Sequence, residues 1–243
     1  MANELTTTES VNLPAYLQDK EVVGLDEIRK YKKTPLIKVI QATAKPDLQD
    51  EFGVGSIVAS GTKLVDKDKP LKVIPVFFWA SWQQRRDSND KSGHFIAEET
   101  MDEASVIAVK SRSDATRKET YPDNPNYSYV YCQSLNYAMY MVDGPLAGEV
   151  AVVKFSMGAH AVAEQMGTAL SARGTSLFYN QIELTSQKTT NTNGNSWYQL
   201  NYQPAEESFT PEALVDTVEE IHKLIKEEHA AKDTKLGSEQ DDE

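Results

Sequence analysis

Residues 71–82 read LKVIPVFFWASW. Apolar side chains at almost every position leave no polar face, the pattern of a central strand covered on both sides. Pro75 interrupts the run, and because a proline has no N–H for the ladder, a bulge or a local edge is expected there. The run ends at Trp82 and leads into Gln83, Gln84, Arg85 and Arg86, so one strand carries a ring toward two guanidinium groups.

On the N-terminal side, residues 1–20 read as a flexible segment and Leu25 to Tyr31 as a short helix. Pro35 favours extended backbone, and the β-branched residues after it predict a strand over Leu36 to Ala42. Gly53, Gly55 and Gly61 bracket a further short strand and predict a sharp bend. On the C-terminal side, Asp87 to Asn126 is polar and charged, with one strand expected over Ser105 to Lys110. Gly148 to Phe155 reads as a strand, and Ser156 as the cap of a helix running to Arg173 with Val162, Met166 and Leu170 on its inner face. Ser176 to Gln187 and Ser196 to Tyr202 read as a hairpin around Asn193-Gly194. Thr210-Pro211-Glu212 opens a helix whose stripe is Leu214, Val218, Ile221 and either Leu224 or Ile225. The mixture of strands and isolated helices, without regular alternation, predicts an α+β fold, either a mainly antiparallel sheet or an OB-like β-barrel, with a few packed helices and a C-terminal helix. The expected organisation is a flexible segment (1–20), one α+β domain (21–204), a helix (205–230) and a mobile acidic tail (231–243).

Between Tyr121 and Tyr140 the chain places six tyrosines in twenty residues, and Tyr127, Tyr129 and Tyr131 recur at every second position. On a strand such residues share a face. That row is the ordinary half-buried face of a sheet, or it is a platform for bases or sugars.

Charge bears on the choice. The net charge is −12, and the last 17 residues, with seven acids and two lysines, account for −5 of it. An acidic chain argues against a general nucleic-acid binder, so any polyanion site must be a local cluster such as Arg85, Arg86 and Lys91, or Lys110, Arg112, Arg117 and Lys118. The longest apolar runs fall far below the ~20 residues of a membrane span. The opening residues lack a secretory signal's pattern, and Cys132 has no second cysteine to pair with. These readings predict a soluble chain in a reducing interior.

Catalysis is not expected. The four histidines are scattered, no nucleophile elbow or paired-histidine metal motif is present, and no metal or other cofactor is implied. His222 and His229 read as solvated positions of the last helix.

Three stretches carry a resemblance: PLIKVIQ (Pro35 to Gln41), LKVIPVFFWASWQQRR (Leu71 to Arg86), and VVKFSMGAHAVAEQMGTAL (Val152 to Leu170) followed by NTNGNSWYQL (Asn191 to Leu200). They resemble the bacteriophage single-stranded DNA-binding proteins over residues 35–202. The resemblance implies binding without marked sequence preference, commonly through an OB-like barrel, in phage DNA replication, recombination or transcription. Some podovirus relatives are RNA-polymerase cofactors that bind single strands with a different fold. The short acidic tail and the charged stretch from Asp87 to Lys118 depart from the replication type.

The expectation is therefore a non-enzymatic single-stranded DNA binder acting in the cytoplasm of an infected host. Trp79, Trp82, Tyr127, Tyr129, Tyr131 and Trp197 would stack bases. Arg85, Arg86, Lys110, Arg112, Arg117 and Lys118 would meet phosphates. The acidic tail would serve a phage polymerase or another replication or transcription protein, and self-association is compatible with the sequence. A structural or scaffold protein of a phage particle is the alternative, and a carbohydrate-binding module a weaker one.

Overall fold

The computed structural model describes residues 34–88, 95–120, 127–192 and 194–238. The flexible N-terminal segment, the helix expected at Leu25 to Tyr31, Tyr121, Asn193 and the tail beyond residue 238 lie outside them.

The fold is mixed α+β, with a curled, mainly antiparallel sheet and four helices among the described residues. The strands are β1 (Leu36–Val39), β2 (Ile57–Ala59), β3 (Thr62–Val65), β4 (Leu71–Ser88), β5 (Phe95–Thr100), β6 (Lys118–Thr120), β7 (Tyr127–Met141), β8 (Val150–Ser156), β9 (Asn180–Thr190) and β10 (Ser196–Phe209). The helices are α1 (Pro46–Phe52), α2 (Val106–Ser111), α3 (His160–Ser171) and α4 (Val215–Ser238). Sheet order is β10-β9-β4-β7-β8-β1-β2-β3, with β5 beside β4 and β6 beside β7. Only the β1–β8 pair is parallel among the described pairings.

The spine is the β4–β7 ribbon, in register from Val73 opposite Met141 to Ser88 opposite Tyr127. Register slips between Pro75 and Phe77, leaving Val76 without a paired residue. This is the bulge that a proline inside a central strand requires. It turns Val76 and Phe77 toward the same side, where both join Ile74, Ala138 and Tyr140 in one apolar cluster. The spare Val76 carbonyl accepts a hydrogen bond from His222 Nδ1 of α4, 2.8 Å away. His222 is thus half-buried in the packing of α4, and the expectation of a solvated histidine is corrected.

The β4–β7 ribbon reads apolar on both faces because a helix packs on each side of the sheet, although Phe78 of β4 stays exposed. On one, α3 sets Val162, Ala163, Met166 and Leu170 over Tyr137, Met139, Val153 and Phe155. On the other, α4 applies Val218, with Leu214, Ile221 and Ile225 alongside, while Leu224 stays exposed. Tyr179 also hydrogen-bonds Glu219 of α4. Residues 205–209, expected in the last helix, continue β10 instead, and the helix runs past residue 230 to Ser238.

Three local expectations are corrected. Ser105 to Lys110 is not a strand: Ser105 Oγ accepts from the Ala108 N–H and caps α2, which buries Ile107 and Ala108 and exposes Val106 and Val109. Ser156 makes no capping bond. A 3-10 turn (Met157–Ala159) precedes α3, and the Ser156 hydroxyl accepts from Arg85 Nη1 at 3.1 Å. The first residues of the expected strand Ser176 to Gln187 form a 3-10 turn (Leu177–Tyr179), and β9 begins at Asn180.

The sheet curls into a half-barrel until the end of β1 meets β10. There the Gln41 amide imitates a ladder rung: Nε2 donates to the Tyr198 carbonyl (2.6 Å) and Oε1 accepts from the Tyr198 N–H (3.0 Å). Gly55, at φ +89°, lies against this seam, where a Cβ would stand 3.0 Å from the Tyr198 ring.

Candidate nucleic-acid interface

Residues paired across an antiparallel ladder share a face, so register sorts the side chains at the far end of the β4–β7 ribbon. Trp82 opposite Gln133, Gln84 opposite Tyr131 and Arg86 opposite Tyr129 lie on the face that α2 covers. Ser81 opposite Ser134, Gln83 opposite Cys132 and Arg85 opposite Val130 lie on the other.

On the first face the rings form a small core. Trp82 is 3% and Tyr131 4% exposed, packed with Ile107 and Ala108 of α2. Neither offers a free face to a base, which corrects the expectation of an open row. Tyr129 is half-buried, its ring 6.5 Å from that of Tyr131. The Tyr131 hydroxyl donates to Glu119 (2.7 Å) and accepts from Gln84 Nε2 (3.0 Å), and Lys110 donates to the same carboxylate at 2.6 Å. Burial and the Glu119 bond push the Tyr131 hydroxyl's pKa up. The bonds from Lys110 and Tyr131 hold Glu119 below its usual range, and the Glu119 bond raises Lys110. The Lys110 ammonium stands 4.9 Å from the centre of the Tyr131 ring and the Arg112 guanidinium 5.7 Å from that of Trp82, within cation–π range. Two of the buried rings therefore seat cations.

The cations differ in how firmly they are held. Arg112 meets Glu103 at 3.8 Å and Arg117 meets Asp114 at 2.9 Å, all four side chains being more than half exposed. Arg117 also accepts the Tyr131 N–H at its carbonyl, which ties β6 to the ribbon. Lys118 pairs in register with Val130, so it belongs with Arg85 on the second face. The six cations are thereby divided between two faces.

Two chosen rings lie elsewhere. Trp79 is half-buried beneath α4, its ring 4.7 Å from that of His229 and 6.1 Å from that of Phe77. His229 is accordingly a packing residue and not a solvated one. Trp197, half-buried on β10, lies close to Gly158 in the turn before α3. For Tyr127 the strand position alone is described.

The second face holds a polar network that no sequence motif announces. Ser81 and Gln83 donate to Glu99 Oε1 at 2.7 and 3.1 Å, Asn136 donates to Ser81 at 2.9 Å, and Ser134 donates to Asn136 at 2.9 Å. Lys154 reaches Glu99 from β8 at 2.6 Å, so the pair arches over β4 and β7. Burial pushes the Glu99 carboxyl up, but the bonds from Lys154, Ser81 and Gln83 outweigh it and hold it below the usual range. Burial also raises the Cys132 thiol, against the pull of Arg85. The signal was present in Ser81, a polar residue between Ala80 and Trp82 at the end of an apolar run, with Gln83 and Arg85 following it on the same face. Among the described residues no cluster of side chains has metal-ligand character, and no helix is long and apolar enough to cross a membrane.

A family model described as Pam3 phage gp34-like protein matches residues 6–231. No curated protein and no solved structure matches. The match spans nearly the whole chain, including every strand and most of α4, and the chain belongs to the Pam3 phage gp34-like protein family.

Proposed function

We propose that the chain binds single-stranded DNA without sequence preference, in phage DNA replication, recombination or transcription within the infected host cell. The observation that supports it is a convergence. Of the twelve side chains chosen from the sequence, all but Trp79 and Trp197 belong to segments gathered at one end of the β4–β7 ribbon. Arg112 and Arg117 are the cations best placed to change partners, because exposed ion pairs contribute only about 0–1 kcal/mol and a phosphate can replace the carboxylate at little cost. Trp82 and Tyr131 hold the cations from below. The acidic end of the chain is the handle for a phage polymerase or another replication or transcription protein.

Titration of labelled oligo-dT across ionic strength tests the reading. Log affinity should fall with log salt at a slope of about −0.7 per phosphate neutralised. Absence of affinity at low salt ends it, and recovery of the chain with purified virions assigns it to the particle instead.

A further inference from the structure

Phe78 lies mid-strand on the central β4, opposite Tyr137, yet it is 43% exposed while Tyr137 is 3% exposed. The difference comes from the way α3 is seated. The Tyr137 hydroxyl donates to the Ala163 carbonyl at 3.3 Å, and α3 comes so close that a Cβ on Gly167 would stand 3.1 Å from that hydroxyl. Clamped onto Tyr137, the helix leaves Phe78 lining a cleft of about 760 Å³, within the range of small-molecule sites. The tilted pair of Phe78 and Tyr137, ring centres 4.9 Å apart, forms one wall, with Leu135, Leu170 and Leu177 around it.

The polar lining narrows the occupant. Thr168, Ser171 and Thr175 bring hydroxyls, and Glu164, whose carboxylate His160 Nδ1 meets at 3.4 Å, brings the one charged side chain among the described residues that line the cleft. The Thr168 hydroxyl already donates to the Glu164 carbonyl, so it faces a ligand as an acceptor. A carboxylate repels phosphate and accepts from N–H groups. Apolar faces, one hydroxyl acceptor and one carboxylate complement an uncharged planar ring with N–H donors, and the Thr175 hydroxyl, which accepts from Asn180 Nδ2 at 3.2 Å, is left to donate to a ring carbonyl.

We infer that this cleft takes a nucleobase, stacked on Phe78 with its donor edge toward Glu164 and any phosphate outside. As part of a single strand the inference rests on the function proposed above. Phe78 and Arg86 lie on the same face of β4, eight residues and about 26 Å apart, so a strand held at the cation cluster can reach the cleft.

The full chain, Phe78→Ala and Phe78→Leu are titrated with oligo-dT and separately with deoxycytidine and thymidine, whose contact is read by saturation-transfer NMR. Loss of one stacked base corresponds to about a 5- to 150-fold drop in oligo-dT affinity. Phe78→Ala should show that drop and lose the nucleoside contact. Phe78→Leu, which keeps apolar bulk without a ring, should do the same at an unchanged Tm. Equal oligo-dT affinity for all three proteins, with no nucleoside contact, overturns the cleft and spares single-strand binding. Nucleoside contact that depends on Phe78, without oligo-dT affinity in the native chain, keeps the cleft and removes single-strand binding.

Discussion

The two ends of the β4–β7 ribbon share one ladder and opposite characters. From Val73 to Trp79 both faces are apolar, with α3 packed on one over β7 and β8, α4 packed on the other, and Phe78 left exposed beside α3. From Ser81 to Arg86 one face holds rings beneath the short α2, and the other holds buried hydroxyls, amides and the Glu99–Lys154 arch. The first end stabilises by burying apolar area, which needs only bulk in roughly the right place. The second depends on its polar pairings, because a buried polar atom that loses its partner costs about 1–3 kcal/mol. Folding strength therefore belongs to the first end and exchangeable charge to the second.

The sharpest way to break the comparison is a deletion at the apolar end. Phe155 is fully buried, its ring 6.1 Å from that of Tyr137 and edge-on to it. Phe155→Ala should cost about 3–5 kcal/mol in urea unfolding. A loss below about 1 kcal/mol would show that the α3 side is not the core.

Lys154→Met probes the polar end, and its effect should be smaller, about 1.5–3 kcal/mol for a lost charge-assisted hydrogen bond. It should also depend on pH. The folded Glu99 carboxyl is held below its ordinary value of 4.5, so its contribution is complete above that value and is lost as pH falls through the folded pKa. The gap between native and variant should be full at neutral pH and close in strong acid. A gap independent of pH would mean that Lys154 stabilises by packing its methylenes alone.

The difference between the ends also explains what could be read in advance. β4, β8 and the inner faces of α3 and α4 were legible because their apolar patterns are local and dense, and Pro75 announced its bulge. α2 was not, since Val106, Ile107 and Val109 favour a strand by composition. The Ser105 cap and the burial of Ile107 against Trp82 and Tyr131 decided otherwise. The role of His222 was illegible for a plainer reason: its partner is the carbonyl of Val76, 146 residues earlier, and is free only because of the bulge. At the interface, residue types were readable but faces were not. Face depends on register, and register placed Arg85 and Lys118 opposite Arg86 and buried the rings of Trp82 and Tyr131.

The smallest effect on stability should come from the cations, and there the comparison turns into one between folding and binding. Arg112 and Arg117 sit in exposed pairs, so replacing both by alanine should change unfolding by no more than about 2 kcal/mol. Part of even that change would be the lost contact of the Arg112 guanidinium with Trp82. If both guanidinium groups meet phosphates, the double variant should flatten the salt dependence of oligo-dT binding by about 1.4 in slope. Lys110→Ala should behave differently, because it strips Glu119 and Tyr131 of a partner and loosens the floor under Arg112. It should lower stability and affinity together. A double variant that loses stability without any change in salt slope would place these arginines with the fold, and would move the search for phosphate contacts to the face that carries Arg85 and Lys118.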